Sequence, residues 1–168
     1  MGTVERLLTA GLVDVRVEDP TTRAAEFCIQ SYVTELDRRF DAGFDPTRSI
    51  SADALELGEP HGLLLIARLR GEPIGCGALK FHSADPTELK RMWVAANARG
   101  LGVGRRLLVE LEQQARDRGV RVLRLETNRS LTEAINLYRS TGYTEVGRFN
   151  DEPYADHWFE KHLSTTRP

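Results

Sequence analysis

Between Arg99 and Arg105 the chain reads Arg-Gly-Leu-Gly-Val-Gly-Arg. An apolar, β-prone segment ends just before it and an amphipathic helical pattern starts within it. A strand that runs through glycines into a helix gathers bare backbone N–H groups and a helix N-terminus at one point. That is the chemistry of anion binding, and of phosphate above all. Glycine suits such a turn because it admits close approach of the backbone and takes φ > 0. Arg99 and Arg105 add positive charge. Two phosphate loops fail to match. A P-loop closes on Gly-Lys-Ser/Thr, whereas Gly104 is followed by Arg105 and Arg106. A G-x-G-x-x-G fingerprint started at Gly100 or Gly102 ends on Arg105 or Leu107. A glycine-rich turn with no ligand remains the plain alternative at this point.

Other reactive residues say less. His157 and His162 have no carboxylate or cysteine partners at ligand spacing, so no metal site is expected. Cys28 and Cys76 lack CxxC spacing and lie in apolar contexts, which predicts buried free thiols in a reducing compartment. The chain has 168 residues with 40% hydrophobic and 29% charged, enough for one globular domain over 1–168. A formal net charge of −2 gives no pull towards nucleic acid or acidic membranes. No apolar run is long enough for a membrane span, and no signal peptide or complete myristoylation pattern is visible at the N-terminus. The expected location is cytoplasmic.

The elements that must position the loop follow from periodicity. Val13–Val17 alternates as a strand, and Asp19-Pro20-Thr21 opens a helix with Ala24, Ala25, Cys28, Tyr32 and Leu36 along one stripe. Residues 41–51 read as loop and 52–57 as a short helical turn. Gly62–Leu69 and Pro73–Phe81 form a hairpin about Arg70-Gly71-Glu72, and a strand over Glu88–Val94 follows. Val103, Leu107, Leu108, Leu111 and Ala115 give the next helix its apolar face, Glu112 and Arg116 a pair on the other, and Gly119 its end. Val120–Glu126 is a strand. Ser130-Leu-Thr-Glu133 reads as a capping box for a helix ending at Gly142. Strands over Tyr143–Phe149 and His157–Leu163 complete the chain. The core runs from about Val13 to Leu163.

This order, an α/β mix around one largely antiparallel sheet, resembles the GCN5-related N-acetyltransferase (GNAT) superfamily. Arg99-x-x-Gly102-x-Gly104 resembles that family's R/Q-x-x-G-x-G/A loop. Ala134-Ile-Asn-Leu-Tyr-Arg-Ser-Thr-Gly-Tyr143 resembles its A-x-x-L-Y-x-x-x-G-F/Y helix end. The resemblance covers most of the chain and is strongest from Glu88 to Tyr143. It implies a single mixed, mostly antiparallel sheet flanked by helices, with splayed central strands forming an acetyl-CoA cleft.

The resemblance also implies roles. Backbone N–H groups of Gly100, Leu101, Gly102, Val103 and Gly104 hold the pyrophosphate of acetyl-CoA, with Arg99 and Arg105 beside them. The main chain of Met92, Trp93 and Val94 takes the pantetheine and the acetyl carbonyl. Tyr138 is the candidate general acid for the departing thiolate. Asn136 and Asn128 are further cofactor candidates. Glu88 is the candidate base, and a period of two puts Glu88, Lys90, Met92 and Val94 on one face. Asp41, Asp45, Asp151, Glu152, Tyr154 and Asp156 fall in the segments that build the acceptor site in that family. The expected activity is direct transfer of acetyl from acetyl-CoA to an amine of a small molecule, peptide or protein in a ternary complex. No metal, nucleic acid or membrane is involved, and a homodimer is expected. The alternative is an acyl-CoA-binding sensor without turnover.

Overall fold

The computed structural model describes residues 2–50, 53–84 and 86–164. Ser51 and Ala52, at the junction of the expected loop and helical turn, and Asp85, in the turn after His82, lie outside the described residues. Seven strands form one sheet in the order β1-β2-β3-β4-β5-β7-β6. They span Val13–Val17 (β1), Gly62–Leu69 (β2), Glu72–Lys80 (β3), Thr87–Val94 (β4), Val122–Thr127 (β5), Thr144–Val146 (β6) and His157–His162 (β7). Every pairing is antiparallel except β4 with β5. The helices are α1 (Thr3–Ala10), α2 (Arg23–Arg39), α3 (Val103–Asp117) and α4 (Thr132–Ser140).

Strand β2 shows why the sheet is covered on both faces. Its apolar run Gly-Leu-Leu-Leu-Ile-Ala has no polar alternation, so both faces need cover. Leu63, Leu65 and Ala67 pack with Leu107, Leu108 and Leu111 of α3. Leu64 and Ile66 pack with Ala25 and Cys28 of α2 and with Trp93. The hairpin turn uses Arg70 (φ 51°) and Gly71 (φ 82°), the two left-handed residues that match strand twist. Helix α3 ends in a Schellman arrangement at Gly119 (φ 77°), with Val120 N donating to Ala115 O and Gly119 N to Arg116 O.

Four local expectations are corrected. Helix α1 precedes β1 and has no counterpart in the expected order, because its apolar residues Val4, Leu7 and Leu8 stay exposed and join no core. Helix α2 starts at Arg23, since Thr22 rather than Asp19 caps it by accepting from Ala25 N. The expected capping box does not form. Ser130 N donates to Asn128 Oδ1, and Glu133 pairs with Arg39, so the α4 start is held by an Asx turn and a bond from α2. Glu112 is buried rather than solvated: it accepts from Tyr143 Oη and Lys161 Nζ, each at 2.9 Å, and meets Arg116 only at 3.8 Å.

Candidate active site

The site begins with an irregularity in β4. Its register with β3 slips between Cys76 and Ala78, where Gly77 alone stands opposite Arg91 and Met92. The extra residue is accommodated at Arg91, whose φ is +59°. A bulge reverses the alternation beyond it. Lys90 pairs with Ala78 and Trp93 with Cys76, all on the α2 side. Leu89, Met92 and Val94 belong to the α3 side. The expectation of one face shared by Glu88, Lys90, Met92 and Val94 is therefore corrected: Glu88 and Lys90 lie on one side, Met92 and Val94 on the other. Cys76 Sγ donates to the Arg91 carbonyl at 3.1 Å, pinning the bulge from behind.

On its other edge β4 pairs with β5 only at Thr87↔Leu123 and Glu88↔Arg124. Beyond that point the two strands part. The wedge holds a cleft of about 450 Å³, lined by Met92, Trp93 and Val94, by the glycine loop and by Ala134, Leu137 and Tyr138 of α4. Gly100 (φ 87°) and Gly102 (φ 73°) are left-handed, and a Cβ on either would meet nothing within 4 Å. Conformation, not crowding, calls for glycine there. Gly102 caps α3 without a side-chain bond, which leaves the first-turn N–H groups of Val103, Gly104 and Arg105, all cleft-lining residues, without a side-chain cap. At Gly104 crowding does matter. A Cβ there would lie 3.3 Å from Leu137, so the glycine admits α4 against α3. Arg105 lines the cleft with no ion-pair partner among the described residues. Arg99 also lines it and pairs with Glu35 of α2 at 2.5 Å.

Tyr138 projects from α4 where this cleft meets a second, smaller chamber of about 80 Å³. Its ring packs on Tyr143 and Phe159, with centroids 5.6 and 6.1 Å away. Its hydroxyl makes no hydrogen bond among the described residues. Burial pushes its pKa well up, with Tyr32 and Glu126 adding to the effect, so the phenol stays protonated. Tyr32, read from sequence as one of a packing stripe, lines both cavities.

Glu88 is half-buried beside the chamber but lines neither cavity. One of its oxygens lies 2.7 Å from His82 Nε2 and the other 2.9 Å from Lys90 Nζ. Burial raises its pKa, but Lys90 and His82 outweigh this and hold the carboxyl below its usual value. Lys90 Nζ also donates to Glu126 Oε1 at 2.8 Å. Burial lowers the Lys90 pKa, and the two carboxylates more than reverse this. Glu126 Oε2 is buried, has no hydrogen-bond partner among the described residues, and belongs to a side chain that lines the chamber. Glu126 is absent from the candidates read from the sequence. Its one signal there is position: an acid at the end of an apolar strand whose Leu123 and Leu125 face the core.

The remaining candidates scatter. Asn128 lies by the chamber, not the cofactor cleft, and its amide is engaged: Nδ2 donates to Tyr154 O and Oδ1 accepts from Ser130 N. Asn136 is exposed on the outer side of α4 and lines neither cavity. Asp41 pairs with Arg129, Asp45 accepts from Thr47, and Asp156 accepts from Arg129 N, all as loop braces. Asp151 is exposed, and of this set only Glu152 and Tyr154 line the chamber. His157 and His162 pair with Glu145 and Glu160. No group able to hold a metal ion occurs among the described residues. None of the helices among them is long and apolar enough to cross a membrane.

The family described as acetyltransferase (GNAT) family matches residues 29–143. An IAA acetyltransferase of Azospirillum brasilense is 37% identical over 124 residues, covering 73% of this chain and 80% of that protein. The crystal structure of a GNAT-family acetyltransferase from Staphylococcus aureus superposes with a TM-score of 0.76 at 15% identity, over 90% of this chain and 99% of that one. A Bacillus anthracis protein solved in complex with acetyl coenzyme A gives a TM-score of 0.56 at 24% identity, over 64% of this chain and 65% of that one.

The Glu88–Lys90–Glu126 cluster generates a stability prediction. Lys90→Met leaves two largely buried carboxylates without their shared cation, at a cost of about 3–5 kcal/mol at pH 7. In the parent, the Glu88 pair contributes fully above the unfolded carboxylate pKa, and its contribution is lost as pH falls through the lowered folded value. The destabilisation is therefore full at pH 7 and shrinks only below the ordinary carboxylate value of 4.5. Urea unfolding of both proteins at pH 7 and at about pH 3 checks this; an equal difference at the two pH values contradicts it.

Proposed function

The chain belongs to the acetyltransferase (GNAT) family and is an acetyl-CoA-dependent N-acetyltransferase; from that premise we propose how its cleft performs the transfer. Acetyl-CoA supplies an activated acetyl thioester. The N–H groups of Gly100, Leu101, Gly102, Val103 and Gly104 would hold its pyrophosphate, with Arg99 and Arg105 adding charge. The fit is supported by the uncapped α3 N-terminus and the open space at both left-handed glycines. The main chain of Met92, Trp93 and Val94, on the edge that β5 abandons, would hydrogen-bond the pantetheine and polarise the acetyl carbonyl.

Two proton movements remain. Tyr138 donates to the departing sulfur. Its raised pKa weakens it as an acid but keeps the donor present, and a thiolate leaving into the same buried site is a stronger base there than in water. The attacking amine gives its proton to Glu126 Oε2, directly or through a water. Glu88 then has a positioning role: it holds Lys90, and Lys90 holds Glu126. The single observation that carries this reading is the chamber lined together by Met92 of the parted β4, by Tyr138 and by Glu126 with its unpartnered oxygen. A binding module without turnover needs neither of the last two. Buried free thiols support a cytoplasmic setting, and a homodimer completes the proposal.

Gly102→Asp puts a negative charge where the phosphates sit. Calorimetry on the folded variant is expected to show acetyl-CoA affinity at least about a hundredfold weaker, a loss of ~2.7 kcal/mol. Unchanged affinity removes the phosphate-loop assignment.

Glu126→Gln keeps shape but accepts no proton. The expected kcat/KM loss is about 10²-fold or more at neutral pH. It shrinks as pH rises towards the pKa of the acceptor amine, where the free base is already present. Glu88→Gln lowers activity without this pH signature. If Glu88→Gln shrinks its loss at high pH and Glu126→Gln does not, the two roles are exchanged.

A further inference from the structure

The chamber beyond Tyr138 says what kind of amine fits, an inference that rests on the acetyltransferase reading above. Phe40, Phe44 and Tyr154 form one wall, with ring centroids 5.8, 5.8 and 4.8 Å apart. Two acceptors on this side are already engaged. Tyr154 Oη accepts from Asp45 N at 3.0 Å. Glu152 Oε2 accepts from Ser49 Oγ and Ile50 N, both at 2.9 Å. What the wall offers an ammonium-bearing arm, which has no acceptor, is ring surface. At the other end Glu126 Oε2 is buried with no donor. A carboxylate oxygen in that condition is costly unless a ligand supplies the hydrogen bond.

Charge agrees with this. Of the charged side chains that line the chamber, Glu126 and Glu152 stand against Lys90 and Arg91, and Lys90 is shared with Glu88 outside it. Lys90 is held between Glu88 and Glu126, and the Arg91 guanidinium lies over the Tyr32 ring at 5.7 Å. An ammonium brings the missing donor to the Glu126 oxygen. The volume favours a narrow group. At about 80 Å³, near half of the ~150 Å³ cavity that admits benzene, the chamber seats a short alkyl arm more easily than a ring.

We infer that the acceptor is a small aliphatic primary amine, its ammonium on Glu126 Oε2 and an unbranched arm of up to about four carbons against Phe40, Phe44 and Tyr154. Each buried methylene is expected to raise kcat/KM roughly fourfold, the equivalent of its transfer free energy.

The test is initial thiol release from acetyl-CoA with n-alkylamines of increasing length, benzylamine, ω-amino acids of matched length and a lysine-containing peptide. The expected result is a rise to about four carbons and a fall beyond, with benzylamine and the amino acids at least about tenfold below the best alkylamine, as the charge and size arguments require. Phe44→Ala, at a half-buried residue, moves the optimum to longer chains without changing acetyl-CoA affinity. A flat length profile, or preference for the amino acids, benzylamine or peptide, overturns the inference and leaves the acetyltransferase reading standing. Bound acetyl-CoA with no thiol release from any acceptor overturns that reading itself.

Discussion

Everything at this site depends on how β4 escapes its neighbours. Inside a sheet a strand edge is saturated by its partners. Here one extra residue at Arg91 breaks the ladder to β3, while pairing with β5 stops at Glu88. The parted strands make the cleft, and the bulge decides which side chains face it. Without the bulge, Met92 would share a side with Lys90 and the cleft wall would carry a buried charge. The left-handed backbone at a non-glycine residue costs of order 1 kcal/mol. Covering α2 and α3 layers and the Cys76 bond to the Arg91 carbonyl hold it in place.

The charged cluster solves a second problem that the parting creates. Opening a sheet leaves room for polar groups at depth, and each isolated charge there is expensive. Lys90 answers two carboxylates at once, and His82 takes the far oxygen of Glu88. One oxygen, on Glu126, is left over, beside the chamber that Tyr138 and Tyr32 also line. A network satisfied at every atom but one is rigid and still reactive at that atom.

Much of this was legible in the sequence because it is local. The Arg99–Gly104 loop is a run of adjacent residues, and the Ala134–Tyr143 helix end repeats at helical spacing, so both could be read directly. The sheet strands and their order followed from apolar runs and turns. What stayed hidden is long-range or lacks a residue signature. Arg91 carries no mark of a left-handed conformation, since glycine or asparagine would be the usual sign. Period-two reasoning therefore ran straight through the bulge and misplaced Met92 and Val94 relative to Glu88. The Lys90–Glu126 contact joins two strands that the sequence does not show to be parallel neighbours. Ser130 and Glu133 satisfied the capping pattern, but Asn128 and Arg39 compete for the same groups and win.

In the proposed mechanism the hydroxyl of Tyr138, a residue that lines both cleft and chamber and makes no side-chain hydrogen bond among the described residues, protonates the leaving sulfur. The most direct measurement is kcat of Tyr138→Phe with an acceptor whose chemical step limits turnover, alongside acetyl-CoA affinity by calorimetry. The predicted result is a kcat about 10²-fold lower with unchanged affinity. A kcat within about twofold of the parent would contradict it, leaving Tyr138 as packing for Tyr143 and Phe159.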